Sequence, residues 1–167
     1  MTAPPAPPTA AQVRTVLAEV TDPEIPVITI DELGILRGVD VQGGHVVVTI
    51  TPTYSGCPAM QEIEADVRSA LSGRGWDDVE VRSVLSPAWT TDWMSDAGRE
   101  KLRAYGIAPP ERRPAGPVLV ALGRPRLVCP QCGSADTEEL TRFASTSCKS
   151  LWRCRSCREP FDHFKAH

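Results

Sequence analysis

Long apolar runs are missing from this chain. No stretch approaches the roughly 20 residues that a membrane-spanning helix needs, so no helical membrane span is expected. Aromatic residues are scarce at 5%, which makes each Trp and Phe a candidate for a core. A basic surplus is missing too: 18 Lys+Arg stand against 21 Asp+Glu, a net charge of −3, which argues against a general nucleic-acid binder. Histidine occurs only as His45, His163 and His167, read as solvated positions in a hairpin turn and near the C-terminus. There is no glycine-rich phosphate loop and no Ser-His-Asp arrangement. The start, MTAPPAPPTAAQ, has neither the basic opening nor the apolar stretch of a secretory signal. The expected compartment is therefore the cytoplasm, where thiols stay reduced, and the six cysteines are read as metal ligands or reactive thiols.

What is present divides the chain. Residues 1–125 hold 11 Lys+Arg and 16 Asp+Glu (−5), whereas residues 126–167 hold 7 and 5 (+2). Residues 1–8 are Pro/Ala-rich and expected to be disordered. Thr9 is placed to cap a first helix with Val13, Val16, Leu17 and Val20 on one face, ended by Thr21-Asp22-Pro23. Ile35–Val41 and His45–Thr51 flank Gln42-Gly43-Gly44 as a β-hairpin, with residues 46–50 as a buried central strand. After residues 51–58, Met60, Ile63, Val67 and Leu71 mark an amphipathic helix, stopped by Gly73 and Gly75. Val79, Val81 and Leu85 predict a third strand, broken at Ser86-Pro87. Trp89 and Trp93 are read as core. A short helix over Ser95–Tyr105, with Leu102 inward, ends at Gly106. The predicted class is α+β, a small three-stranded sheet covered by helices over residues 9–106. A proline-rich linker, 107–126, and a cysteine module, 127–167, follow.

The module carries Cys129-Pro-Gln-Cys132 and, after 21 intervening residues, Cys154-Arg-Ser-Cys157. Each pair offers two thiolates from one tight turn, and two such turns close a tetrahedron, the preference of structural Zn²⁺. Four thiolates also suit iron or a cluster. With Leu140, Phe143, Leu151, Trp152, Phe161 and Phe164 as its large apolar residues, so small a piece needs a metal to fold. Cys148, outside both pairs, reads as a small buried strand residue or as a second thiol that exchanges metal.

A second constellation joins DPEIP (22–26) with TPTYSGCP (51–58). Pro58 suits the first position of the following helix, which puts the Cys57 sulfur at a helix N-terminus, where a thiolate is favoured. Gly56 leaves room for a ligand or partner. Thr51, Thr53, Tyr54 and Ser55 offer hydrogen bonds, and Asp22 and Glu24 offer oxygen ligands. The plainer reading is that Cys57 substitutes for a cap and the threonines close a strand.

At these loops the chain resembles a known family. DPEIP, TPTYSGCP and Gly106-Ile107 are similar to the SufT-like, MIP-type domain of iron–sulfur assembly proteins. CPQCGS (129–134) followed by STSCKSLWRCRSCREPFDHFKAH (145–167) resembles the end of the PaaD family, accessory proteins of the phenylacetyl-CoA epoxidase system of phenylacetate degradation. The resemblance implies a maturation factor for the metal centres of that oxygenase, not an enzyme. Its reactive cysteine falls on Cys57, its acidic loop on Asp22 and Glu24, and its zinc ligands on Cys129, Cys132, Cys154 and Cys157. Some relatives have a cysteine where this chain has Ala166, so that position is no essential ligand here. Structural Zn²⁺ and a transient iron–sulfur cluster or iron at Cys57 are the implied metals. The epoxidase components are the implied partners, the reductase favoured over the oxygenase, and a second copy of the chain is a further candidate. Nucleic acid and membrane are not expected partners. The competing readings are a structural or regulatory subunit of the oxygenase, and a zinc-ribbon enzyme with Cys57 as nucleophile, for which no histidine base stands near in sequence.

Overall fold

The computed structural model describes residues 7–112 and 127–166. Most of the expected disordered start and of the expected linker, together with His167, lies outside the described residues. The chain packs as two units that divide between Gly98 and Arg99.

In the first unit, α1 (Ala10–Leu17) starts at the predicted cap. The Gln12 N–H donates to the Thr9 hydroxyl and the Thr9 N–H to the Gln12 side chain, a reciprocal capping box. Val13, Val16, Leu17 and Val20 are buried as the spacing requires. Strands β1 (Leu36–Gln42) and β2 (His45–Ile50) form the antiparallel hairpin. β3 (Val79–Ser83) runs parallel to β2. A parallel pair needs a crossover, and α2 (Ala59–Ser72) supplies it. The sheet order is β1-β2-β3, so β2 is central. It is buried on one face only: Val46, Val48 and Ile50 point inward while Val47 and Thr49 are half-exposed. Ile63, Val67 and Leu71 of α2 join that core.

Leu85 departs from the expectation. The third strand ends at Ser83, and Leu85 is 64% exposed. The pattern of alternate apolar residues outlasts the partner, since β2 itself ends at Ile50, which pairs with Ser83. Trp89 is core as expected, its indole N–H donating to the Leu33 carbonyl. Trp93 is half-buried, with the Arg37 guanidinium 3.5 Å above its ring.

α3 (Asp96–Ala104) spans the division between the units. In the second unit, Ile107–Ala108 forms a short strand, β4, where the sequence reads the head of a linker. Both residues are buried and pair in parallel with Asp162 and His163; an apolar pair with a strand edge to bond is not left in solvent. β5 (Thr137–Thr141), β6 (Lys149–Cys154) and β7 (Pro160–Phe164) complete a sheet of order β4-β7-β6-β5. Its core gathers Ala108, Leu127, Trp152 and Phe161 around Cys129 and Cys154. Leu140 and Phe143 do not join it and are 48% and 66% exposed.

His163 also departs from expectation, because it is half-buried. Its ring meets Trp152 edge-on at 6.2 Å, and its Nδ1 lies 3.2 Å from the Ser150 hydroxyl, which accepts from the Trp152 indole N–H. Burial, with the Lys165 charge added, pushes His163 down to about 4. His45 is closer to the expectation: it begins β2, its side chain is 41% exposed, and it sits beside Asp78 and Glu80, whose carboxylates raise it. No helix among the described residues is long and apolar enough to cross a membrane.

Candidate functional site: a four-cysteine cluster and a half-buried thiol

The two CxxC turns are built alike. The Cys129 N–H donates to the Ser134 carbonyl, and the Cys154 N–H to the Glu159 carbonyl, five residues on in each case. The residue after each second cysteine is left-handed: Gly133 at φ 75° and Arg158 at φ 68°. Glycine adopts that region freely, whereas an arginine there is strained by about 1 kcal/mol. The two turns also touch through the Ser134 and Ser156 hydroxyls, 2.8 Å apart.

These turns bring the four sulfurs together. Cys129 and Cys157 are 3.8 Å apart, Cys132 and Cys154 3.6 Å, and all four lie within 4.8 Å of one another. At a metal–sulfur bond of about 2.3 Å, the corners of a tetrahedron stand about 3.8 Å apart. The donor set therefore fits one four-coordinate ion. A cluster interposes its own iron and sulfide atoms between thiolates, and this spacing leaves no room for them. Cys129 and Cys154 are buried, Cys157 is half-buried and Cys132 is exposed. The Cys157 N–H and the adjoining thiols pull Cys154 down to about 6. Cys157, although the Glu159 N–H favours its ionisation, is pushed up to about 12 by burial and by the three sulfurs around it. Thiols this close ionise in turn, and a bound cation is what lets all four be thiolates together.

Cys148 stays apart from this set. It is buried, as the plainer reading of it expects, but in the turn ahead of β6 and not in the strand, 3.0 Å from the Thr146 hydroxyl.

Cys57 lies in the first unit, one residue ahead of the Pro58 cap of α2. It is half-buried. The Ala59 N–H and the Thr53 side chain favour its ionised form. Gly56, at φ 86°, is the residue that the left-handed turn demands, and a Cβ there would meet nothing within 4 Å, so the approach to the loop is open. Thr51 and Thr53 are buried, and the Thr51 N–H donates to the Ile35 carbonyl, which ties the loop to the start of β1. Asp22 is 6% exposed, and one of its oxygens accepts from the N–H groups of Glu24 and Ile25 at 2.9 Å each, which fixes the DPEIP loop.

The fold brings this loop to Cys57, with a consequence opposite to the sequence expectation. Burial raises the Cys57 thiol, the Ala59 N–H opposes it, and the charges of Glu24 and Asp22 raise it further. A helix end alone favours the thiolate, but burial and two carboxylates together outweigh it. Nor do the three residues form a closed ligand set: among the described residues, only the four ribbon cysteines bring three or more ligand atoms of this kind together. Arg158 is the residue that sequence reasoning missed. Its signal was available, since it occupies the place that Gly133 takes in the other turn.

Residues 10–83 match the family described as an iron–sulfur cluster assembly protein, and residues 115–165 match the PaaD zinc β-ribbon domain. A protein of Escherichia coli K12, provisionally named as one of the subunits of 1,2-phenylacetyl-CoA epoxidase, is 48% identical over 160 residues, covering 96% of this chain and 94% of that one. An Fe–S protein maturation auxiliary factor of Porphyromonas gingivalis is 42% identical over 82 residues, 48% of this chain and 77% of that one. Among solved structures, a domain of unknown function, DUF59, from Bacillus anthracis is similar at 30% identity with a TM-score of 0.52, over 56% of this chain and 90% of that one. The similarity to the Escherichia coli protein runs through both units, so the chain belongs to the PaaD family of phenylacetyl-CoA epoxidase proteins.

Proposed function

We propose that this chain is a non-catalytic, cytoplasmic maturation factor for the metal centres of a phenylacetyl-CoA epoxidase. The observation that carries the reading is the division of labour between its thiols. The four ribbon cysteines close around a single ion, which suits a structural zinc. Cys57 stands apart on an open loop of a domain whose relatives include Fe–S maturation auxiliary factors. A carrier needs a site that can be both filled and emptied, and one thiol beside two carboxylates is such a site. Its remaining ligands then come from the client, a second copy or a small thiol. The domain division that goes with this reading is an assembly domain over residues 9–106, a linker over 107–126 whose first two residues pair into the second sheet as β4, and a ribbon over 127–167 that docks on the client. Burial, with the charges of Glu24 and Asp22 added, disfavours the Cys57 thiolate until a cation or cluster displaces the proton, with Thr51, Thr53, Gly56 and Pro58 shaping the loop.

The cargo is an iron–sulfur cluster, and its destination is the reductase component of the epoxidase. A cluster sits on cysteine thiolates, whereas a di-iron centre is built from carboxylates and histidines, so transfer to a reductase changes the ligand type least. The test is the metal content of the epoxidase components produced with and without this protein. Without it, the reductase is expected to contain flavin but little cluster, while the oxygenase still carries iron. A fully clustered reductase beside an iron-free oxygenase would overturn the choice of client. The name of the Escherichia coli relative favours a second reading, a structural subunit of the complex. A stable stoichiometric complex with mature components would favour the subunit, and sub-stoichiometric binding to immature ones the factor.

A further inference from the structure

Arg158 is held in a left-handed backbone that its counterpart, Gly133, adopts without strain. Strain at one position is a reason to ask what its side chain does. Among the described residues Arg158 makes no hydrogen bond or ion pair. With Arg153 and Arg155 it lines a shallow pocket of about 280 Å³ whose remaining wall is Cys154. The other two guanidinium groups are already engaged. Glu138 takes Arg153 on Oε1 and Arg155 on Oε2, and Asp136 lies 3.8 Å from Arg155. Arg153 and Arg155 are thus paired with Glu138 and Asp136, whereas Arg158, beside Cys154, has no carboxylate within ion-pair distance among the described residues. Four thiolates around a divalent ion carry an excess of two negative charges, and that excess is partly exposed on the Cys132 side.

We propose that Arg158 is an electrostatic positioning residue of the four-cysteine centre: its guanidinium offsets the negative charge of the loaded thiolate set and thereby tightens the hold on a divalent ion. This rests on the reading of the four cysteines as a metal site. The arginine pair on Glu138 cannot do the same work, because its charge is already matched within the sheet. The strained backbone is then the cost of putting a cation where the other turn has none.

The test is zinc affinity of the full chain, measured by competition with a chromophoric chelator at low salt and at high salt. The variants are Arg158→Gln, which keeps the strain and removes the charge, and Arg158→Lys, which keeps both. Arg158→Gln is expected to bind zinc roughly tenfold more weakly at low salt, the lower end of what outer-shell partners of a metal contribute. The difference should shrink at about 1 M salt, where exposed charges are screened. Arg158→Lys should stay close to the unsubstituted chain. Circular dichroism of the zinc-saturated variants checks that both are folded. Equal affinity of Arg158→Gln and the unsubstituted chain at low salt overturns the inference and leaves the metal site standing, as does equal weakening by Gln and Lys. An unsubstituted chain that binds no zinc overturns the inference and the metal-site reading together.

Discussion

A thiol that is half-buried and lies near carboxylates ionises reluctantly, and Cys57 meets both conditions. Its alkylation by iodoacetamide, followed by peptide mapping on the zinc-loaded chain, is expected to be slower at pH 8 than that of an unperturbed cysteine. Glu24→Gln removes the stronger of the two opposing charges and should speed the reaction at the same pH; an unchanged rate would mean that the carboxylate does not act on the sulfur. Cys57→Ala removes one half-buried sulfur from an open loop, at a cost of about 1 kcal/mol. The variant should fold with an unaltered circular dichroism spectrum and fail to restore growth on phenylacetate in cells lacking the protein. Full growth would remove Cys57 from the mechanism. His163 poses the reverse problem, a base that burial keeps neutral. Its folded value, about 4, lies below the ordinary 6.5. The unfolded chain therefore binds more protons between those values, and the ribbon is stabilised by neutral His163 above pH 6.5 and loses that contribution as pH falls towards 4. Proton NMR of the ring should show His163 untitrated at about pH 5.5, where His45, raised by Asp78 and Glu80, is already protonated.

At the scale of elements, the ribbon is where metal and fold are coupled. Its core has two of the four cysteines at its centre, Cys129 and Cys154, and only a few large side chains around them. Cys129→Ser or Cys154→Ser leaves three sulfurs and a weaker donor, so the sheet β4-β7-β6-β5 should be lost while the helix signal of α1 and α2 persists. Amide exchange resolved by peptide would locate the loss; protection in β6 and β7 equal to that of the unsubstituted chain would show that the metal is dispensable for the fold. In the first unit the stability sits in hydrocarbon. Ile63 of α2 is fully buried, and Ile63→Ala should cost about 2–5 kcal/mol, read as a lowered denaturant midpoint that zinc does not restore.

Over the whole molecule, two units with separate sources of stability should respond separately. Removing metal with a strong chelator is expected to release one zinc per chain and abolish the near-ultraviolet signal of Trp152, with the thermal transition of the first unit retained. Trp152 is a useful reporter because it lies in the ribbon core, whereas Trp89 belongs to the first unit. A chain that melts once, at one temperature, with and without zinc would refute this separation.

Much of this could be read from the residues in order. Local periodicity and punctuation placed α1, the hairpin and α2, because capping, glycine turns and spacing of about 3.6 or 2 act between residues close in sequence. The two CxxC pairs were legible as paired thiols by the same local logic, since each turn contributes its two sulfurs whatever the rest of the chain does. What only the tertiary structure decided depends on residues far apart. That β4 joins the second sheet follows from an edge on β7, at Asp162 and His163, far along the chain, which no local pattern reveals. That the Cys57 thiol is raised follows from its burial and then from the distant loop of Asp22 and Glu24, whose charges reach it through space. That His163 is lowered follows from its burial, beside Trp152 and Ser150 across a strand pair, and from the Lys165 charge. Residue type and spacing state which groups are available, but burial and the distance between charges, which set the protonation of each group, are properties of the folded chain alone.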